Sequence, residues 1–115
     1  MDYVIFELSC KMGKKIRLTE PQWHHITTIH KEFGENTINY MVRTLQSPDF
    51  ILFDVLEENH QYYKQFKHTP VSEKYLLLIV KVLNDEGFVI TSFFMRKIRY
   101  EGKVWVYGKE SHDLL

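Results

Sequence analysis

"KYLLLIVKVLNDEGFVITSFF", residues 74–94, decides the fold. Tyr75 to Leu83 is apolar at every position except Lys81 and Tyr75's hydroxyl, so it reads as a strand covered on both faces and central in a sheet. Phe88 to Met95 reads as its returning hairpin partner. Asp85-Glu86-Gly87 suits a three-residue loop with Gly87 in the left-handed position. That register pairs Asn84 with Phe88 and sets Lys81 directly opposite Thr91, on a face shared with Ile79 and Phe93. A four-residue loop would instead set Val80 opposite Thr91. A lysine charge is costly in a central strand if it has no partner. Its stem either snorkels to an edge, or the cation and the Thr91 hydroxyl together hold a phosphate on the sheet face.

Working outward, Phe50 to Leu56 and Gln61 to Lys67 read as two more strands around the turn "EENH", and Val104 to Tyr107 as a short edge strand. Near the start, "YVIFELSCKMGKKIRL" reads as a separate hairpin. Lys11-Met12-Gly13 forms its loop, with Leu8 opposite Ile16 and Phe6 opposite Leu18 on one apolar face. Two helices follow. In "LTEPQWHHITTIHKEF", Thr19 and Gln22 make a capping box, Leu18 and Trp23 a hydrophobic staple, and Pro21 falls in the first turn. That helix is expected from about Glu20 to Phe33, stopped by Gly34. In "ENTINYMVRTLQSPDF", Ile38, Met41, Val42 and Leu45 make one helical stripe that "SPD" terminates. The class is α+β: a hairpin and two helices packed on a curved antiparallel sheet of about four strands.

The chain has 115 residues, of which 44% are hydrophobic and 15% aromatic, enough for a single domain with one core. The longest apolar run, Leu76 to Val80, is far short of a membrane span. The start "MDYVIFELSC" lacks the basic region and cleavage site of a secretory signal, and one cysteine, Cys10, cannot staple a fold. A cytoplasmic protein without membrane contact is the expectation. Net charge is zero, but unevenly spread. Residues 1–60 carry six Lys/Arg against nine Asp/Glu, and residues 61–110 carry nine against five. An anionic partner would be steered to the second half.

Three of the six histidines fall in "QWHHITTIHKEF", residues 22–33. Helical phasing puts Trp23, Ile26, Ile29, His30 and Phe33 on the packed side, His24 towards water and His25 at the border. A zinc pair on a helix needs ligands four apart on one face, and these histidines are spaced by one, five and six. No metal site is expected. In "RKIRYEGK", residues 96–103, Arg96, Lys97, Arg99 and Lys103 flank Tyr100, a pattern that suits a nucleic-acid backbone and a stacked base, or equally a charged edge that resists aggregation. No GxSxG, Gly-rich phosphate loop or Cys–His signature is present.

Taken in order, "RLTEPQWHHITTIHKEF", "MVRTLQSPDFIL", "QYYKQF" and "KYLLLIVKVLNDEGFVITSFFMRKI" resemble the phage- and toxin-associated branch of the barnase–EndoU–colicin–RelE-like (BECR) nucleases, over roughly residues 16–105. The resemblance implies a metal-independent endoribonuclease without cofactor, in which a ribose 2′-OH attacks the adjacent phosphate of single-stranded RNA. It implies catalytic roles for His25, His30, Lys81 and Thr91, and RNA contacts from Arg43, Arg96, Arg99 and Tyr100. A histidine would move the proton, Lys81 would stabilise charge on the phosphorane, and bases would stack on Tyr62, Tyr63 or Tyr100. It further implies an antitoxin or immunity protein as partner. The alternative is a non-catalytic protein- or RNA-binding domain on the same fold.

Overall fold

A computed structural model describes residues 3–108. The elements run β1 (Val4–Ser9), β2 (Lys15–Thr19), α1 (Glu20–Ile29), α2 (Glu35–Gln46), β3 (Phe50–Asp54), β4 (Asn59–Gln65), β5 (Tyr75–Leu83), β6 (Glu86–Met95) and β7 (Lys103–Gly108). The strands form one sheet in the order β1-β2-β6-β5-β4-β3-β7, so the expected four-stranded sheet is in fact seven-stranded. Two non-local pairings make the difference. The N-terminal hairpin joins the sheet through a short parallel pairing of β2 with β6, Lys15 to Arg17 against Glu86 to Phe88. At the other side β7 pairs with β3 rather than with its predecessor β6.

The hairpin itself forms as its alternation dictates. Leu8 faces Ile16, Phe6 faces Leu18, and Gly13 takes a φ of +80° in the loop. Its junction with β6 depends on Gly87. A Cβ there would lie 2.4 Å from the Lys81 carbonyl oxygen and 3.0 Å from Ile16 Cδ1, so only glycine lets three strands meet.

The β5–β6 turn differs from the three-residue loop. Leu83 pairs with Glu86 across a two-residue turn, and Asn84 carries the positive φ (+60°). Asparagine is the residue besides glycine that best tolerates this region. Lys81 therefore faces Phe88, and Thr91 faces Ile79. A bulge between Ile79 and Val80 absorbs Ile90 as an extra residue. Beyond the bulge the net slip is two residues, the full side-chain period of a strand, so Thr91 and Phe93 keep their face, whereas between turn and bulge the slip is three. Lys81, Thr91, Ile79 and Phe93 do share one face of the sheet.

Each face has its own core. On one, α1 and α2 cover Ile16, Leu18, Tyr62, Leu76, Leu78 and Val80 with Ile26, Met41 and Leu45, all fully buried. Thr19 caps α1 by accepting the Gln22 N–H at 3.4 Å, and Pro21 occupies the first turn. The helix ends at Ile29 rather than Phe33. Its last turn, Ile26-Thr27-Thr28-Ile29, is wholly β-branched, a poor helix former. The Thr27 and Thr28 hydroxyls both donate back to the His24 carbonyl. Ile29, expected in the packed stripe, is 56% exposed. Of the expected α2 stripe Met41 and Leu45 are buried, but Ile38 and Val42 are half-buried and Thr37 and Thr44 are buried beside them instead; the helix stops at Ser47.

The other face carries no helix. Residues 96–102 connect β6 to the far edge at β7, and in doing so cross this open face. Ile98 and Tyr100 from the crossing pack on Phe50, Leu52, Tyr63 and Leu77. The crossing covers part of the face and leaves a groove beside it.

Candidate nucleic-acid groove

The groove has a volume of about 410 Å³. Its floor is built from alternate residues of the two central strands, Gln61 and Tyr63 of β4 and Leu77 and Ile79 of β5. Phe93 of β6 bounds one side, and Arg99 and Lys103 from the crossing and its junction with β7 bound the other. Among the described residues neither cation is in a salt bridge, whereas Arg96 pairs with Glu73 at 3.3 Å and Arg17 with Glu7 at 3.4 Å. A carboxylate, Asp54, lies opposite Lys103 in register, but its Oδ1 accepts the Leu56 and Glu57 amides of the β3–β4 turn.

His30 reaches this face from the opposite layer. The early end of α1 puts His30 at the C-cap in an extended conformation (φ −109°, ψ 92°). Its N–H donates to the Ile26 carbonyl and its own carbonyl accepts the Phe33 N–H, so its backbone is fixed on both sides. The imidazole then stacks on Phe93, with centroids 5.5 Å apart and planes 24° from parallel. Glu32 Oε1 lies 4.0 Å from His30 Nδ1, within Coulombic reach but beyond hydrogen-bond length. The helix is held against β6 by Gln22, whose Nε2 donates to the carbonyl of the bulged residue Ile90. Beyond Phe88, β6 has lost β2 as a neighbour, and α1 takes the place of a strand along that edge.

The four residues expected to be catalytic are only partly brought together. His30 does not itself line the groove but stacks on Phe93, which does, and Thr91, also outside the lining, sits across from the floor residue Ile79. Lys81 is on the same face but not opposite Thr91, and its ammonium donates to the Glu58 carbonyl at 2.9 Å. It ties the β5–β6 hairpin to a turn whose Glu58 has a φ of +55°. His25 is exposed on α1 and lines no part of the groove.

The residues expected to contact RNA also divide. Arg99 walls the groove. Tyr100 stacks on Trp105 at 6.0 Å, which stacks on Phe50 at 5.2 Å, which stacks on Tyr63 at 4.9 Å. One face of the Tyr100 ring is thus occupied, and its hydroxyl is buried without a partner. Burial raises its pKa, with Tyr75 adding to the effect. Arg96 is committed to Glu73. Arg43 lies over the Phe66 ring at 5.0 Å on the helical side, the opposite face of the sheet from the groove. Tyr62 and Tyr63, expected as stacking platforms, are each only 1% exposed and cannot receive a base. The Tyr62 hydroxyl donates to Cys10 Sγ within the helical core.

Gln61 and Tyr63 were not singled out by sequence reasoning as site residues of this kind. The signal is there in retrospect: in "NHQYY" a polar amide and a tyrosine stand two apart, hence on one strand face, among residues that are otherwise core. Among the described residues no three His, Cys, Asp or Glu side chains gather as a metal site requires, and no helix is long and apolar enough to cross a membrane.

The chain belongs to the phage-Barnase-EndoU-ColicinE5/D-RelE like nuclease2 family, whose family model matches residues 3–108. This is the nuclease superfamily that the ordered motifs resemble. No curated protein and no solved structure gives a significant match.

Proposed function

We propose that this member of the nuclease family cleaves single-stranded RNA without a metal, by attack of a ribose 2′-OH on the adjacent phosphate, in the groove of the open sheet face. One observation carries the reading. His30 leaves its helix to lay its ring on Phe93 at the rim of a groove whose opposite wall holds Arg99 and Lys103. The two things this reaction needs, proton transfer and charge stabilisation, would come from the histidine behind Phe93 and from the two cations of the groove.

In this reading His30 exchanges a proton with the 2′-OH or with the departing 5′-oxygen. Arg99 and Lys103 stabilise the charge that develops on the phosphorane, and the Thr91 hydroxyl donates to the same phosphate. Arg99 takes over the role that the resemblance gave to Lys81, whose ammonium is engaged with the β3–β4 turn. The substrate supplies its own nucleophile, so the reaction requires no activated serine or cysteine. An antitoxin or immunity protein would neutralise the enzyme by covering this groove.

The test uses two oligonucleotides of one base sequence, incubated with the protein in EDTA. One is all ribose and the other all 2′-deoxyribose. The ribose strand is expected to be cut to products ending in a 2′,3′-cyclic phosphate, and the deoxy strand to stay intact. Equal cutting of both strands, or no cutting of either, would contradict the proposal.

A further inference from the structure

The floor of the groove contains a polar group that the fold itself does not use. Gln61 is only 6% exposed, and it sits in the middle of a central strand between two apolar neighbours across the sheet, Leu52 and Ile79. A buried amide of this kind is destabilising unless its hydrogen-bonding groups are satisfied. Half of it is satisfied. Its Oε1 accepts the Tyr63 hydroxyl at 3.0 Å. Its Nε2 has no acceptor among the described residues, and it lines the groove.

The orientation of that amide is not arbitrary. The Tyr63 hydroxyl is buried, and among the described residues the one acceptor it reaches is Gln61 Oε1. Burial, with Tyr100 nearby, pushes the Tyr63 pKa up to about 12, so the phenol stays protonated at neutral pH and must donate. A donor fixed at Tyr63 obliges Gln61 to turn its oxygen inward. Its two N–H groups are thereby aimed into the groove, where Arg99 and Lys103 supply positive charge without salt-bridge partners of their own.

We infer that Gln61, oriented by Tyr63 and flanked by Arg99 and Lys103, forms a phosphate-binding subsite in which the Gln61 amide donates to a non-bridging phosphate oxygen. The polar groups lining the groove beside Tyr63 are the Gln61 amide, Arg99 and Lys103, and the nearby Asp54 carboxylate has its Oδ1 engaged by the Leu56 and Glu57 amides. The amide selects for an acceptor and the two cations select for negative charge, a combination that fits a phosphate and not a neutral sugar or base edge. The inference deepens the ribonuclease reading and rests on it for the identity of the phosphate as part of an RNA strand. Anion binding itself is measured separately from cleavage.

The experiment is a nitrogen–proton NMR titration of the full chain with inorganic phosphate, uridine 3′-monophosphate and uridine. Phosphate and the nucleotide are expected to shift the Gln61 side-chain amide and Arg99 Nε–H signals, and uridine to leave them in place. Gln61→Glu keeps the acceptor for Tyr63 but replaces the donor with a negative oxygen, so it should weaken phosphate binding by about tenfold or more, given the strength of a hydrogen bond to a charged group. The wild-type amide signal needs no variant, so a misfolded substitution does not decide the matter. The inference is overturned if phosphate leaves the Gln61 amide unshifted, or if a folded Gln61→Glu binds phosphate as tightly as wild type. A protein that shifts these signals but cuts no RNA keeps the subsite and loses the ribonuclease reading. One that cuts RNA with an unmoved Gln61 amide does the reverse.

Discussion

Individual residues here take their character from burial more than from sequence neighbours. His60 is the clearest case. It lies on the helical face beside Phe53, with ring centroids 4.9 Å apart, and desolvation lowers its pKa below the ordinary 6.5. The folded state therefore binds a proton at His60 less readily than the unfolded chain does. Stability from this residue is complete above about pH 6.5 and is lost as pH falls through the lowered value. Urea midpoints measured at pH 7.5 and 5.5 should show wild type losing more stability on acidification than His60→Gln, and an equal loss in both would refute the assignment. The contrast with the helix histidines is instructive. Phasing put His24 towards water, as found, but it put His30 on a helical stripe, whereas His30 lies beyond the helix end in an extended C-cap. It gave His25 a border position, whereas the structure leaves His25 exposed. What no single position announced was Gln61, whose significance depends on a tyrosine two residues on and a cation from a distant loop.

At the scale of elements, caps and apolar patterns were legible, and the β5–β6 register was legible to within its period only beyond the bulge. Thr19, Pro21 and Gly13 each act as their chemistry requires. The helix end was misplaced because Gly34 is a strong stop signal but the β-branched turn before it acts first. The bulge at Ile90 was invisible, since a bulge answers to what lies across the edge, here the Gln22 amide of α1. Lys81 shows how an element-level contact changes a residue's reading. Its ammonium caps carbonyls of the β3–β4 turn, so Lys81→Met should cost about 1–2 kcal/mol of stability, the price of the lost charged hydrogen bond. The folded variant should retain RNA cleavage within about threefold of wild type, as a non-reacting strut would. A folded Lys81→Met with cleavage reduced by about 100-fold or more would return Lys81 to the chemistry.

The whole molecule rests on two long-range pairings and one crossing. Neither the parallel contact of β2 with β6 nor the pairing of β7 with β3 follows from local pattern, because each joins strands far apart in sequence that could equally well have stayed edges. The α+β class was legible and the strand count was not. The crossing of residues 96–102 matters most for function. It brings Arg99 and Lys103 over a face whose floor and far side come from β4, β5 and β6. The basic segment that reads as a charged edge in the sequence is in part the wall of a groove. Membership of a nuclease family is what makes that groove our candidate site for cleavage. The most direct test is the rate at which wild type and His30→Ala degrade the same RNA in EDTA, with both proteins shown to be folded by circular dichroism. The groove at Phe93 predicts that His30→Ala loses about 100-fold or more of the wild-type rate, the usual worth of a positioned proton-transfer group. Equal rates in the two proteins, or intact RNA with wild type, would contradict it.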